Sequence, residues 1–499
     1  VTRRTFRVAA AAILLLAAAL RLPGLDDQSL WSDEIYSVES ARWPWPVLLT
    51  ARDGQPPLYG LILKALGRLP SPDLHGRIVS AVAGVAGVGA MLGLGRAIAG
   101  RRVALLAAGL LAISPLHVWY SREGRTYALV TLWSIVGSWC LVCAIRDGTR
   151  RAWSGWAATS AAGLATHYLY GPVLLAQAVF LVLPHAGGTT SRRRLLVAAG
   201  AIVALALVAL AFLGGEAAGV VARRRGFEWL AIPYTAFTFV GGFGLGPPVE
   251  ALQRDRSLAA VAAYWRPVTA VAATGAALAW ASLRALPSLG TWACYLGLWL
   301  FVPAAAVLGG AWVTDGSYSV RYLLPALPAF VLLAAAGLAR LRRPWGAVAL
   351  GMVGIMSALS IARDRHDPRY MRDDLRGAAH WLRAHVDTGA PIAVSASYVV
   401  FGLRHYDDSL HVAPLTDRRV RTEADAEAAL DGLLTAGGWL VLSREWEDDP
   451  AGHLEREIAR RAPEALVARL PGVRIFRFLP GTRGAGASRP HAPPSPRRA

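Results

Sequence analysis

The 499-residue chain is poor in lysine, cysteine and charge. Lys64 is the only lysine, so almost all of its 52 basic residues are arginines, a compositional bias that carries no functional information. Cys140, Cys143 and Cys294 all lie inside apolar runs. A single C-x-x-C with no second pair makes neither a zinc site nor a disulfide framework, and the three read as small buried hydrophobes. Charged residues are 17% of the chain, where a soluble protein of this size carries about a quarter. The net charge of +19 does not point to nucleic acid, because the arginines sit in short clusters between apolar runs rather than on one soluble face.

What fills the chain is hydrocarbon. Hydrophobic residues make up 55% of it, and runs long enough to cross a bilayer recur through residues 1–362. After a basic start (Arg3, Arg4, Arg7) the first run is 8–22, which reads as a retained span rather than a cleaved signal. Further spans are expected at 78–97, 103–120, 127–145, 153–166, 170–183, 195–213, 267–283, 291–313, 323–338 and 345–361, about eleven in all. The segment 58–69 follows Pro56-Pro57, is too short to cross, and reads as an interfacial helix on which Lys64 snorkels.

Placing the N-terminus in the cytoplasm puts an arginine in every alternate short loop: Arg96/Arg101/Arg102, Arg146/Arg150/Arg151, Arg192–Arg194, Arg284 and Arg340/Arg342/Arg343. Every carboxylate before residue 363 except Asp147 then falls outside. Residues 363–480 have soluble charge density and no spanning run. Helical spacing over 373–386 and 423–434, with strands at 391–396, 438–443 and 473–478, makes this a small extracytoplasmic α/β domain. Residues 481–499, rich in Pro, Arg, Gly and Ser, are expected to be disordered.

Four clusters put ionisable groups beside tyrosines on that outer face. They are Asp33-Glu34 (before Tyr36), Arg122-Glu123-Gly124-Arg125-Thr126-Tyr127, Thr166-His167-Tyr168 and Tyr318-Ser319-Val320-Arg321-Tyr322. Ionisable groups near hydrocarbon are costly, and four on one side imply a shared polar cavity. Arg125 and Arg321 offer forked donors to a phosphate at headgroup depth. His167 alone reads as structural, and counts only as a member of the set.

At these residues the chain resembles the family 39 glycosyltransferases, which include protein O-mannosyltransferases and lipid A aminoarabinose transferases of the GT-C membrane fold. The matching pieces are Leu30-Trp31-Ser32-Asp33-Glu34, Gln55-Pro56-Pro57-Leu58-Tyr59, Ser121–Leu129, Thr166-His167-Tyr168, Gly242–Pro247, Arg321–Pro325 and Asp374–Ala379. Gln55 stands where many relatives carry His or Lys, and Arg122 where many carry Gln. The resemblance implies an all-α polytopic GT-C domain with a small C-terminal α/β domain. It also implies sugar transfer from a polyprenyl-phosphate donor to a lipid, glycan or protein acceptor at the extracytoplasmic face of the cell membrane. Asp33 matches the catalytic acidic position and Glu34 orients it or the acceptor. Arg125, Arg321, Tyr127 and Tyr322 hold the donor phosphate, and Glu123, His167, Tyr59 and Gln55 line the site. No metal ligand is assigned, although a divalent metal stays open. Two other readings stand beside this one. A flippase of lipid-linked sugars would use the same arginines without bond chemistry, but no internal repeat is visible. A polytopic assembly or sensor protein would not need the clustered carboxylates and arginines.

Overall fold

The computed structural model describes residues 1–49, 55–67, 73–183, 192–213, 229–255, 257–314, 318–416, 419–445 and 448–480. The chain forms two compact units. The first comprises Val1–Asp27, Asp33–Pro248 and Ser257–Tyr370; the second comprises Gln28–Ser32, Val249–Arg256 and the chain from Met371 onward. The expected tail at 481–499 and the turn 184–191 lie outside the described residues.

The first unit is helical. Its elements begin with α1 (Arg3–Arg21), α2 (Ser32–Ser40), α3 (Trp45–Leu49), α4 (Leu58–Leu66), α5 (Leu74–Ile113) and α6 (Pro115–Ser121). They continue with α7 (Tyr127–Asp147), α8 (Arg150–Thr166), α9 (Tyr170–Val182), α10 (Arg192–Leu213) and α11 (Ala231–Gly241). After the short α12 (Val249–Arg254, of the second unit) and α13 (Leu258–Ala262) come α14 (Trp265–Leu289), α15 (Thr291–Thr314), a 3-10 turn at Val320–Ala326, α16 (Leu327–Arg340) and α17 (Arg343–His366). Among the described residues six helices are long and apolar enough to cross a membrane: α5, α7, α14, α15, the Val320–Arg340 stretch and α17. The chain is a multi-pass membrane protein.

Helix α5 joins two of the expected spans. Forty residues in one straight helix would reach about 60 Å, twice a bilayer core. Gly100 breaks it, with φ +85, and the chain folds back so tightly that a Cβ on Gly95 would stand 2.8 Å from the Ala104 Cα. The second arm ends early because Ser114-Pro115 starts α6, with Ser114 as N-cap accepting from the His117 amide. Helix α4 stops at Gly67, whose φ is +71. Lys64 Nζ donates to the carbonyls of Trp43 at 2.6 Å and Ala41 at 3.4 Å, where the chain leaves α2. Polar groups deep between helices pair with each other. Tyr295 donates to Ser138 at 2.6 Å and Trp156 to Gln177 at 2.8 Å. All three cysteines are free thiols.

The second unit holds a five-stranded sheet of order β2-β1-β3-β5-β4, made of β1 (Ile392–Val394), β2 (Val412–Pro414), β3 (Gly438–Ser443), β4 (Leu466–Leu470) and β5 (Val473–Phe478). Strands β2, β1 and β3 are parallel, and β5 runs antiparallel to β3 and β4. Alternation along β3 sorts two cores. Val441 packs with Leu375, Leu382 and Leu403 from the helices Leu375–His385 and Ser397–Tyr406. Leu440 and Leu442 pack with Leu430, Leu434 and Ile458 from Glu423–Ala436 and His453–Arg461. Thr422 and Asp425 close a capping box on the third of these helices. The segment Gln28–Ser32 is sewn into this unit: Ser29 donates to the Asp373 carbonyl at 2.6 Å, and the Leu30 amide to the Tyr406 hydroxyl at 2.6 Å.

Candidate active site

Helix α2 places Asp33 and Glu34 in its first turn, where the unpaired amides of a helix start favour carboxylates. Adjacent helical residues point about 100° apart, so the two carboxylates part company. Glu34 turns inward and is fully buried. It takes the Arg77 fork, Nε at 2.8 Å and Nη2 at 2.7 Å, together with the Gly124 amide at 2.6 Å. Asp33 is half-exposed and pairs with Arg321, Nη1 to Oδ2 at 3.1 Å. Arg321 comes from the 3-10 turn that opens α16.

Arg125 approaches from the loop between α6 and α7. Its Nη1 donates to the Asp33 carbonyl at 3.1 Å and to the Ser37 hydroxyl at 2.8 Å. Its Nε–H is buried without an acceptor among the described residues. The Arg321 guanidinium lies 5.6 Å from the ring centroids of both Tyr127 and Tyr322. Tyr127 in turn sits 5.7 Å from the His167 ring, and Tyr120 packs edge-on against Tyr127 at 5.4 Å. His167 Nδ1 accepts from the Leu169 amide at 3.1 Å, which leaves the ring proton on Nε2. Burial, reinforced by Arg125 and Arg321, pushes His167 down to about 3, so it is neutral at physiological pH. Asp33, Arg125, Arg321, Tyr127, Tyr322 and His167 thus meet at one end of the helices.

The remaining residues singled out from the sequence fall around this group. Glu123 is buried in the same loop and its carbonyl accepts from the Arg125 amide at 2.7 Å. Tyr59 donates to the Gly76 carbonyl at 3.1 Å. With Gln55, Tyr36, Ser37 and Ser40 it lines a small open cleft along α2. Arg122 instead holds backbone, donating to the carbonyls of Arg21, Pro23 and Gly24 where α1 ends. The glycine-rich loop 242–247 is also packing. Gly242, at φ +67, lies against Pro115, and Tyr370 donates to the Gly246 carbonyl at 2.7 Å. Among the described residues no group of three His, Cys, Asp or Glu side chains is placed to hold a metal ion. Two buried arginines were missed. Arg77 borders an apolar run and reads as a flanking charge. Arg21, at the end of α1, is fully buried, and donates to the carbonyls of Ala17, Leu111 and Ala112 and to His117 Nδ1.

Residues 54–212 match the family described as dolichyl-phosphate-mannose-protein mannosyltransferase. Over the whole chain the architecture is similar to ArnT from Cupriavidus metallidurans in the apo state, with a TM-score of 0.52 and 16% identity, covering 96% of this chain and 98% of that one. The chain has the GT-C fold. The same architecture recurs in the apo oligosaccharyltransferase of Archaeoglobus fulgidus, at TM-score 0.53, 13% identity and coverage of 89% of this chain and 70% of that chain. It recurs also in the archaeal oligosaccharyltransferase AglB from the same organism, solved with an inhibitory peptide and a dolichol-phosphate, at TM-score 0.51, 13% identity and the same coverage. No curated protein sequence matches. At these identities the structural likeness speaks for the GT-C fold, and the chemistry has to come from the site.

Proposed function

We propose that this GT-C glycosyltransferase moves a sugar from a polyprenyl-phosphate donor to an acceptor hydroxyl, with Asp33 as general base and Arg125 and Arg321 as the donor-phosphate site. The observation that carries the reading is the meeting of one open carboxylate with two guanidiniums. Asp33 takes the proton of the acceptor hydroxyl as its oxygen bonds to the anomeric carbon. The bond from that carbon to the phosphate oxygen breaks, and its electron pair leaves with the lipid phosphate. Arg125 and Arg321 stabilise the charge that develops there. A phosphate that takes the Arg321 fork relieves its pairing with Asp33 and frees the base. The Arg125 Nε–H, buried and without an acceptor among the described residues, is a second donor suited to an anion. His167, neutral with a proton on Nε2, adds a donor without changing the charge of the site. The family description matched by residues 54–212 and the dolichol-phosphate in the AglB structure support a lipid-phosphate donor. The arginine distribution supports a cytoplasmic N-terminus, with the site and residues 363–480 outside.

The test is transfer by the purified protein in nanodiscs, where translocation has no bearing. A labelled polyprenyl-phosphate sugar and acceptor-bearing membrane extract are supplied. The acceptor is chosen from the glycoconjugates that lose a sugar, by mass spectrometry, when the protein is deleted. Acceptor-dependent consumption of the donor supports the reading. Unchanged glycoconjugates in the deletion strain contradict it, and donor translocation without transfer would establish the flippase.

A further inference from the structure

We infer that Glu34, Arg77, Gly76 and Gly124 form a preassembled clamp that fixes Asp33 and Arg125 relative to each other, making Glu34 and Arg77 positioning residues rather than acid, base or ligand contacts. The inference rests on the reading of Asp33 and Arg125 given above.

The side chains of Glu34 and Arg77 are 0% and 2% exposed. A carboxylate buried this way, with a guanidinium fork and an amide on its oxygens, is fully engaged and out of reach of an acceptor. What Glu34 reaches is structural. Arg77 belongs to α5, and its Nη1 goes on to the Leu25 carbonyl at 2.8 Å, tying down the chain after α1. Gly124 is the residue before Arg125. The Arg125 carbonyl accepts from the Ser80 hydroxyl at 3.0 Å, one turn beyond Arg77 on α5. The Arg125 guanidinium then returns to the Asp33 carbonyl and Ser37 on α2. Bonds therefore run from α2 through Glu34 to Gly124, through the Arg125 backbone to its side chain, and back to α2. The circuit closes only because two backbones touch. A Cβ on Gly76 would lie 2.9 Å from the Gly124 Cα, and one on Gly124 would lie 3.3 Å from the Gly76 Cα. The sequence pair Asp33-Glu34 is thus a division of labour: one carboxylate faces the chemistry, and its neighbour holds the frame.

The decisive variant is Gly76→Ala, which alters no charge and no residue of the site. Its methyl group must push the Gly124 loop away from Glu34. A displacement of about 1 Å costs on the order of 100-fold in a well-oriented reaction. Gly76→Ala and Arg77→Lys are accordingly expected to lower kcat and raise the donor KM together by 10- to 100-fold (about 1.4–2.8 kcal/mol), leaving the pH–rate midpoints in place. Amide hydrogen exchange over residues 122–128 should quicken in the full-length protein. Gly84→Ala is the control. It sits on the same helix with a shorter contact, but to a side chain, its Cβ 2.2 Å from the Ser121 Oγ, and it lies outside the clamp. It should lower thermal stability without moving the donor KM. Where Gly76→Ala does not fold, Ser80→Ala weakens the same circuit and is expected to shift both parameters several-fold. Folded Gly76→Ala or Arg77→Lys protein with wild-type kcat, donor KM and exchange overturns the clamp. Wild-type protein that fails to transfer sugar refutes the transferase reading instead, and the exchange data then still test the clamp.

Discussion

Arg321→Lys separates geometry from charge at the donor site. Arg321 Nη1 lies 3.1 Å from Asp33 Oδ2, with 23% of its side chain exposed, and its guanidinium stands over Tyr127 and Tyr322. Lysine keeps the positive charge beside Asp33 but gives up the planar fork. One charge-assisted hydrogen bond to phosphate is worth about 1.5–3 kcal/mol, and contact with the tyrosine faces adds about 0.5–1 kcal/mol, part of which lysine retains. A net loss of about 2 kcal/mol lowers kcat/KM roughly 30-fold. Arg321→Ala, which also removes the charge that stabilises the leaving phosphate, should cost about 10²–10³-fold. The assay is transfer in nanodiscs at varied donor concentration, with the folded state of each variant checked by thermal unfolding. Equal losses for Lys and Ala would show that the fork is irrelevant. Wild-type kcat/KM in both would remove Arg321 from the donor site.

Three further outcomes are expected. In a cysteine-free background, single cysteines at Asp408 and Arg102, both exposed, should differ toward an impermeant thiol reagent applied to whole cells; labelling at 102 but not 408 would invert the proposed topology. In the second unit, hydrogen bonds from Arg460 hold Glu457, and from Ser409 hold Asp407, below the usual carboxylate range. Their stabilisation is present above the unfolded values of about 4 and is lost as pH falls through the folded ones, so the melting temperature of the full-length protein should drop only below about pH 4.5, and Glu457→Gln should flatten that drop; a decline starting at pH 6 would contradict it. Asp33→Asn should abolish most transfer, as developed below.

Much of the site was legible because membranes make polar residues conspicuous. Asp33, Arg125, Arg321 and His167 stand out as ionisable groups at the ends of apolar runs, and the structure gathers them. Glu34 was expected to orient Asp33 or the acceptor, but a sequence does not show which way a helix faces; its turn toward α5 follows from the helix rotation alone. Arg77 was hidden by resembling a charge that flanks a span. The role of Gly76 and Gly124 is a backbone contact between segments about fifty residues apart, and no local pattern announces it. In the second unit β3 and β5 were read with their observed bounds, because each carries a continuous strand pattern. The three-residue β2, ending in Pro414, was missed, since only its pairing with β1 makes it a strand.

The central claim, that Asp33 is the base, is met most directly by the transfer rate of folded Asp33→Asn protein in nanodiscs. Asparagine keeps the shape of the side chain and a hydrogen-bond acceptor for Arg321 while removing the group that takes the proton. Loss of a general base typically costs about 10²–10⁴-fold. The account predicts a fall in kcat of that size with the donor KM changed by only a few-fold, because Arg125 and Arg321 remain in place. Transfer by Asp33→Asn at the wild-type rate would contradict it.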